Sequence, residues 1–147
     1  MTRRRDEQGT ALVEVTWLSV LLLVPLLYVV VSVFEVQRSA YALSGATRAA
    51  ARAYSLAASQ DEGSTRARAA AAVALEDQGL ELSDGSFGLG CEPRPGDCLS
   101  PGSVIHVRMA LAVPLPLVPD ALGDNTPSVR VQADHAVPYG SFREQRP

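Results

Sequence analysis

Three patterns of hydrophobic and polar positions follow one another along the chain. From Val15 to Phe34 there is no formal charge over twenty residues, and no face of a helical wheel is polar throughout. Such a run makes a helix about 30 Å long, the thickness of a bilayer's hydrocarbon core. Beyond it the helical pattern continues to about Ser59. Gln37, Ser44, Arg48, Arg52, Ser55 and Ser59 fall on one stripe, and Leu43, Ala46, Ala50, Ala53 and Ala57 on the opposite one. Counted from Thr10 to Ala58, the helix would be about 73 Å long, with its outer third projecting from the bilayer.

The stretch Gln60-Asp61-Glu62-Gly63 reads as a turn, with Ser64 as the N-cap of a second helix over Thr65–Gln78 and Gly79 as its stop. Ala67, Ala70, Ala71 and Ala74 share one side of that helix, a partner for the alanine stripe of the first. After Gly79 the period changes to two. A short strand is expected around Ser86–Cys91. Ile105, Val107, Met109, Leu111 and Val113 alternate on one face within Ser103–Val113. Val129, Val131, Ala133, His135 and Val137 alternate again after the proline-rich connection Pro114–Pro127. The expected fold is α+β: a long N-terminal transmembrane helix extended into a stalk, a short second helix, and an antiparallel sheet of two to three strands.

This predicts a leader over 1–9, a membrane helix over 10–36, a helical stalk and second helix over 37–79, a β-rich head over 80–139, and a frayed polar tail over 140–147. Arg3, Arg4 and Arg5 lie close to the span, whereas Arg38, Arg48 and Arg52 follow at greater distance. The positive-inside rule therefore puts the N-terminus in the cytoplasm and the head outside. A secretory signal peptide cut near Ala40-Tyr41-Ala42 is the competing reading. The apolar run is longer than a signal core, and Glu35, Gln37 and Arg38 separate it from that site.

Composition narrows the function classes. The formal net charge is −3, and loss of the leader, with its three arginines and two acids, would make it −4. A mildly acidic chain with dispersed arginines is a poor nucleic-acid binder. No nucleophile–base arrangement and no glycine loop between strand and helix is recognisable, so neither an enzyme nor a small-molecule or cofactor site is expected. Cys91 and Cys98 bracket Glu92-Pro93-Arg94-Pro95-Gly96-Asp97, a turn-prone segment that a disulfide would close on the outer side of a membrane; the alternative is two free thiols. A zinc site joining them to His106 and His135 lacks ligand spacing, and no metal is expected. His135 reads as a hydrogen-bonded residue at the core edge and His106 as solvated. Pro25 removes the bond its amide would give to the Leu21 carbonyl, which predicts a kink. Trp17 suits the inner boundary, and Tyr28 a helix contact.

Glu14 is the oddity. A charge in a bilayer core costs on the order of 2.5–3.5 kcal/mol or more, so a carboxylate just inside an apolar run needs a partner. It lies five residues past Gly9, behind a basic leader. Cutting between Gly9 and Thr10, as a prepilin-type peptidase does, would create an ammonium four residues from Glu14. In a bundle of such helices each Glu14 can pair with a neighbour's new terminus and set the axial register. The plain alternative makes Gly9 a flexible joint and lets Glu14 snorkel to the headgroups.

The first 55 or so residues resemble the TadE-like minor pilins (pseudopilins) of the tight-adherence, or Flp, type IV pilus. The resemblance rests on Gly9, Ala11, Val13 and Glu14, the Leu-Val-Pro-Leu-Leu run around Pro25, Glu35, Tyr41, and Ala46-Thr47-Arg48-Ala49-Ala50-Ala51-Arg52-Ala53-Tyr54. It differs in that Pro25 stands further from Glu14 than in common members, and Thr10 replaces the bulky residue that begins many major pilins. The resemblance implies a substrate of the prepilin peptidase that acts in pilus biogenesis, with the membrane, other pilins and the pilus assembly platform as partners. Two rivals are an unprocessed membrane-anchored binding module and a soluble protein released after Ala42.

Overall fold

A computed structural model describes residues 8–116 and 127–147, with side chains described from Leu12 onward. The greater part of the leader and of the proline-rich connection lies outside the described residues. Five elements follow in order: α1 Gln8–Ser55, α2 Gln60–Glu76, β1 Phe87–Glu92, β2 Val104–Pro114 and β3 Ser128–Pro138. The strands form one antiparallel sheet in the order β1-β2-β3, with Cys91 opposite Ile105 and Val107 opposite His135. This is the α+β architecture that the change of period predicts.

The outer half of α1 is the axis of the head. It packs against α2 on one side and against β2 and β3 on another. Because α1 is covered twice, its buried surface is wider than a single alanine stripe. Ser39, Ala42, Leu43, Ala46, Thr47, Ala50, Ala51 and Tyr54 are all buried, as is Ala57 just past the helix, and so is Ser55, which the wheel assigns to the polar side. Small side chains suit that position, since they let α2 and the sheet both approach the α1 backbone. From the sheet, Ile105, Val107, Met109, Leu111 and Val113 are buried as the alternation predicts. On β3 only Val131 is buried, and Val129 is exposed.

Three local readings are corrected. First, α1 begins at Gln8 and ends at Ser55, with Ala57 N–H turning back to the Tyr54 carbonyl. Gly9 thus lies inside the first turn, and helix ends commonly shift by such amounts. Second, α2 starts at Gln60, so Gln60–Gly63 is helix and Ser59, not Ser64, is the N-cap. The Ser59 hydroxyl accepts from Glu62 N–H, and the Glu62 carboxylate accepts from Ala58 N–H at 3.0 Å. That exchange resembles a capping box. Gly63 is buried because a Cβ there would lie 2.9 Å from Tyr54 Cδ2; it marks a close helix approach, not a turn. The expected stop at Gly79 is found: its φ is +71°, and Leu80 N–H reaches back to the Leu75 carbonyl while Gly79 N–H reaches Glu76.

Third, the segment 140–147 is docked. Arg143 Nη1 donates to the Ser55 carbonyl at 2.9 Å and Arg146 Nη1 to the Ala57 carbonyl at 2.7 Å. Arg146 N–H donates to the Leu99 carbonyl, and Gln60 N–H to the Pro147 carbonyl. The last carbonyls of a helix lack intrahelical donors, and cations are favoured there. Two arginines meet both needs at the outer end of α1. Tyr139, fully buried, anchors the tail and carries the Arg143 guanidinium over its ring.

Candidate functional site

Among the described residues nothing covers the inner half of α1. Leu21 and Leu23, on opposite sides of the helix, are 69% and 60% exposed, so no face is turned to a core. Between Leu12 and Phe34 seventeen large apolar side chains are exposed. At about 1.5–3 kcal/mol each, leaving them in water forgoes roughly 25–50 kcal/mol. Among the described residues this is the one helix long and apolar enough to cross a membrane, with a mean hydropathy of 2.5 in its best window and none of that window buried. It is continuous with the head, since the apolar segment and the stalk belong to the same helix.

Glu14 sits on this bare segment, exposed, with no ion pair among the described residues. Gly9 and Thr10 precede it by about one turn on the same helix. Four residues of rise put the Thr10 and Glu14 backbones about 6 Å apart along the axis. The arrangement offers a carboxylate, an apolar surround and a nearby backbone site that is a potential chain end. Pro25 lies inside α1 and the helix continues through it. Three hydroxyls along the rod turn back onto it: Thr16, Ser32 and Ser39 donate to the Leu12, Tyr28 and Glu35 carbonyls. Trp17 is exposed near the inner end, while Tyr28 and Ser32 are half-buried.

In the head, Cys91 and Cys98 form a disulfide. It ties the end of β1 to the segment whose Cys98 N–H donates to the Gln60 side chain at 3.1 Å, which joins the sheet to the first turn of α2. The Ser100 and Ser103 hydroxyls lie 2.7 Å apart and within hydrogen-bond distance of the Asp97 carbonyl, so one of them donates to that carbonyl and the other to its partner hydroxyl or to the same carbonyl. His106 and His135 occupy adjacent strands one residue out of register and so point to opposite sheet faces; both are half-buried. His135 makes no side-chain hydrogen bond among the described residues. It lines, with Arg48, Arg52 and Val137, an open cleft of about 410 Å³ between α1 and β3. The helical wheel placed those arginines only on the stripe shared with Gln37 and Ser44; the cleft needs the β3 crossing, which has no local signal. No cluster of three metal-ligating side chains occurs among the described residues.

Burial, with the nearby Asp61 charge as a smaller contributor, holds the Tyr54 phenol above its ordinary value of 10.0. It is a packing residue at the α1–α2 contact.

The fold and the bare segment define a class: a small α+β head on a helical stalk whose inner half fits a membrane. No family model, no curated protein and no solved structure matches the chain.

Proposed function

We propose that the chain is a single-span minor pilin or pseudopilin, cut after Gly9 by a prepilin peptidase, which contributes to the assembly or initiation of a tight-adherence type surface pilus. The observation that carries the reading is the bare apolar half of α1 with Glu14 at its inner end, continuous with a folded head. A simple tether needs the apolar length but not the acid, because an isolated carboxylate there only opposes insertion. An assembling helix uses it: trimming at Thr10 supplies the counter-charge, and a neighbour's terminus beside Glu14 in a low dielectric fixes the stagger between subunits. On this reading the leader is cytoplasmic and the head, with its disulfide, is outside.

Other pilins and minor pilins, the peptidase and the assembly platform are the partners. The unprocessed binding module remains the rival, and the mature N-terminus separates them. Mass spectrometry of the membrane-extracted protein, with and without the peptidase, should give a chain beginning at Thr10 only when the peptidase is present, and Gly9→Ala should abolish the change. A chain that begins at Met1 in every sample would establish the tether instead.

A further inference from the structure

Hydrogen bonds at both ends of the β2–β3 ladder fix which way each β3 amide points. Tyr139 N–H donates to the Ser103 carbonyl at 2.8 Å and Leu115 N–H to the Pro127 carbonyl at 3.0 Å. Both pairs continue the register that sets Val107 opposite His135. Bonded and non-bonded pairs alternate along an antiparallel ladder, so the odd-numbered residues from Val129 to Val137 bond to β2. Arg130, Gln132, Asp134 and Ala136 turn their N–H and C=O groups to the other edge. Among the described residues no strand pairs with that edge, and these four residues are exposed. Such a row of unpaired amides is a template for another chain, and Pro138, without an N–H, closes it at one end.

Beside the same edge lies the cleft lined by Arg48, Arg52, Ser55, His135 and Val137, with no acid among its described lining. Arg48 and Arg52 stand one helical turn apart. Both are exposed and without an ion pair among the described residues, whereas Arg38, Arg66, Arg68 and Arg94 each face a carboxylate within 3.4 Å. In a chain of net charge −3 the cleft is a local excess of positive charge. Arg48 comes fourteen residues after Phe34, about 21 Å of helical rise. Lipid headgroups at the end of the apolar run are therefore well beyond the screening length of about 8 Å. A second copy paired edge to edge would bring its own Arg48 and Arg52 to the same seam, and like charge opposes that.

We infer that the free edge of β3 and the Arg48–Arg52–His135 cleft form one docking site for an extended acidic segment of another protein. The segment's backbone adds a fourth strand, and its acidic side chains, at every second residue, point to the α1 side. His135 shares a strand face with the buried Val131. A residue added opposite His135 would have its Cβ about 4.5–5.5 Å away on that face, where a carboxylate enters the cleft. Main-chain bonds supply affinity and the cleft supplies selectivity. The site goes beyond the function proposed above and stands on the head alone, independent of the cut after Gly9.

The test uses the full-length chain in detergent micelles and a blocked synthetic peptide of alternating glutamate and threonine. Binding is read by fluorescence titration and by amide hydrogen exchange. In the free protein the Arg130, Gln132, Asp134 and Ala136 amides should exchange quickly and those of Val131, Ala133 and His135 slowly; the peptide should slow the first set. Arg48→Gln combined with Arg52→Gln should weaken binding about two- to thirty-fold, the span for two exposed ion pairs. Gln132→Pro removes one outward N–H without touching the β2 ladder and should weaken binding about two- to twelve-fold, the span for one hydrogen bond. No binding of the glutamate peptide, equal binding of a glutamine–threonine peptide, or binding that leaves the Gln132 and Asp134 amides unprotected would overturn the site. Tighter binding of oligogalacturonate would put an acidic glycan in the cleft and overturn the added strand. Concentration-dependent protection of the edge without peptide would overturn the foreign partner in favour of a second copy. None of these outcomes alters whether the mature chain begins at Met1 or Thr10, so the processing reading is tested separately.

Discussion

Gly63 gives the sharpest test of how α2 sits on α1. A β-carbon added there would approach Tyr54 Cδ2 at 2.9 Å, Cε2 at 3.0 Å and Cγ at 3.3 Å, against an ordinary carbon–carbon contact of about 3.5–4.0 Å. The obstructing atoms are the body of a ring that is 2% exposed, so it cannot swing aside cheaply. Overpacking of this kind costs about 1–3 kcal/mol. Against it stands the gain of about 1 kcal/mol from replacing a helical glycine by alanine. Gly45 separates the two effects. It also lies inside a helix, but nothing is within 4 Å of its added Cβ. Gly45→Ala should stabilise by about 0.5–1 kcal/mol, and Gly63→Ala should fall about 1–3 kcal/mol below it. Urea unfolding of the full chain in detergent micelles, followed by tyrosine near-ultraviolet dichroism, measures both. Equal shifts for the two alanines would refute the Tyr54–Gly63 contact and with it the α1–α2 docking.

Other outcomes follow from the same geometry. Arg146→Ala removes the donor to the Ala57 carbonyl and should cost about 1–2 kcal/mol, a little less than a fully buried charged hydrogen bond because the guanidinium is only half covered; thermal unfolding reads it directly. Replacing Cys91 and Cys98 by serine opens a short loop and should lower head stability by about 2.5 kcal/mol in the chain-entropy model, seen as an earlier urea midpoint. The raised Tyr54 phenol means that the folded state holds its proton more tightly than the unfolded chain. Its contribution is fully present below the ordinary value of 10.0 and is lost as pH rises through the folded value. Stability should therefore be insensitive to this group up to about pH 10 and fall above it, and Tyr54→Phe should flatten that alkaline limb.

Much of the fold was legible because its elements have strong periods. Ile105 through Val113 alternate without a break, and Val15–Phe34 has no charge to interrupt it, so strand and apolar helix announce themselves. Gly63 misled because glycine marks both turns and close contacts, and only the facing Tyr54 ring decides which. The Ser59–Glu62 spacing was a usable signal for the earlier helix start. The docked tail had no such signal: Arg143 finds Ser55 across 88 residues, a pairing fixed by the fold and invisible to local pattern. Glu14 stood out for the opposite reason, since one acid beside an apolar run violates the pattern around it. The Arg48–Arg52 cleft was unreadable because β3 supplies half of its wall.

The most direct test of the central claim is the fate of Glu14→Gln in cells that display the pilus. Fibres sheared from the surface and the residual membranes are probed for this chain by quantitative mass spectrometry. The account predicts that the variant is still trimmed to Thr10 and inserted, yet is strongly depleted from the assembled pilus fraction, because the uncharged amide cannot hold a neighbour's terminal ammonium. Trimmed variant recovered in the fibres at the wild-type level, with fibre number unchanged, would contradict it.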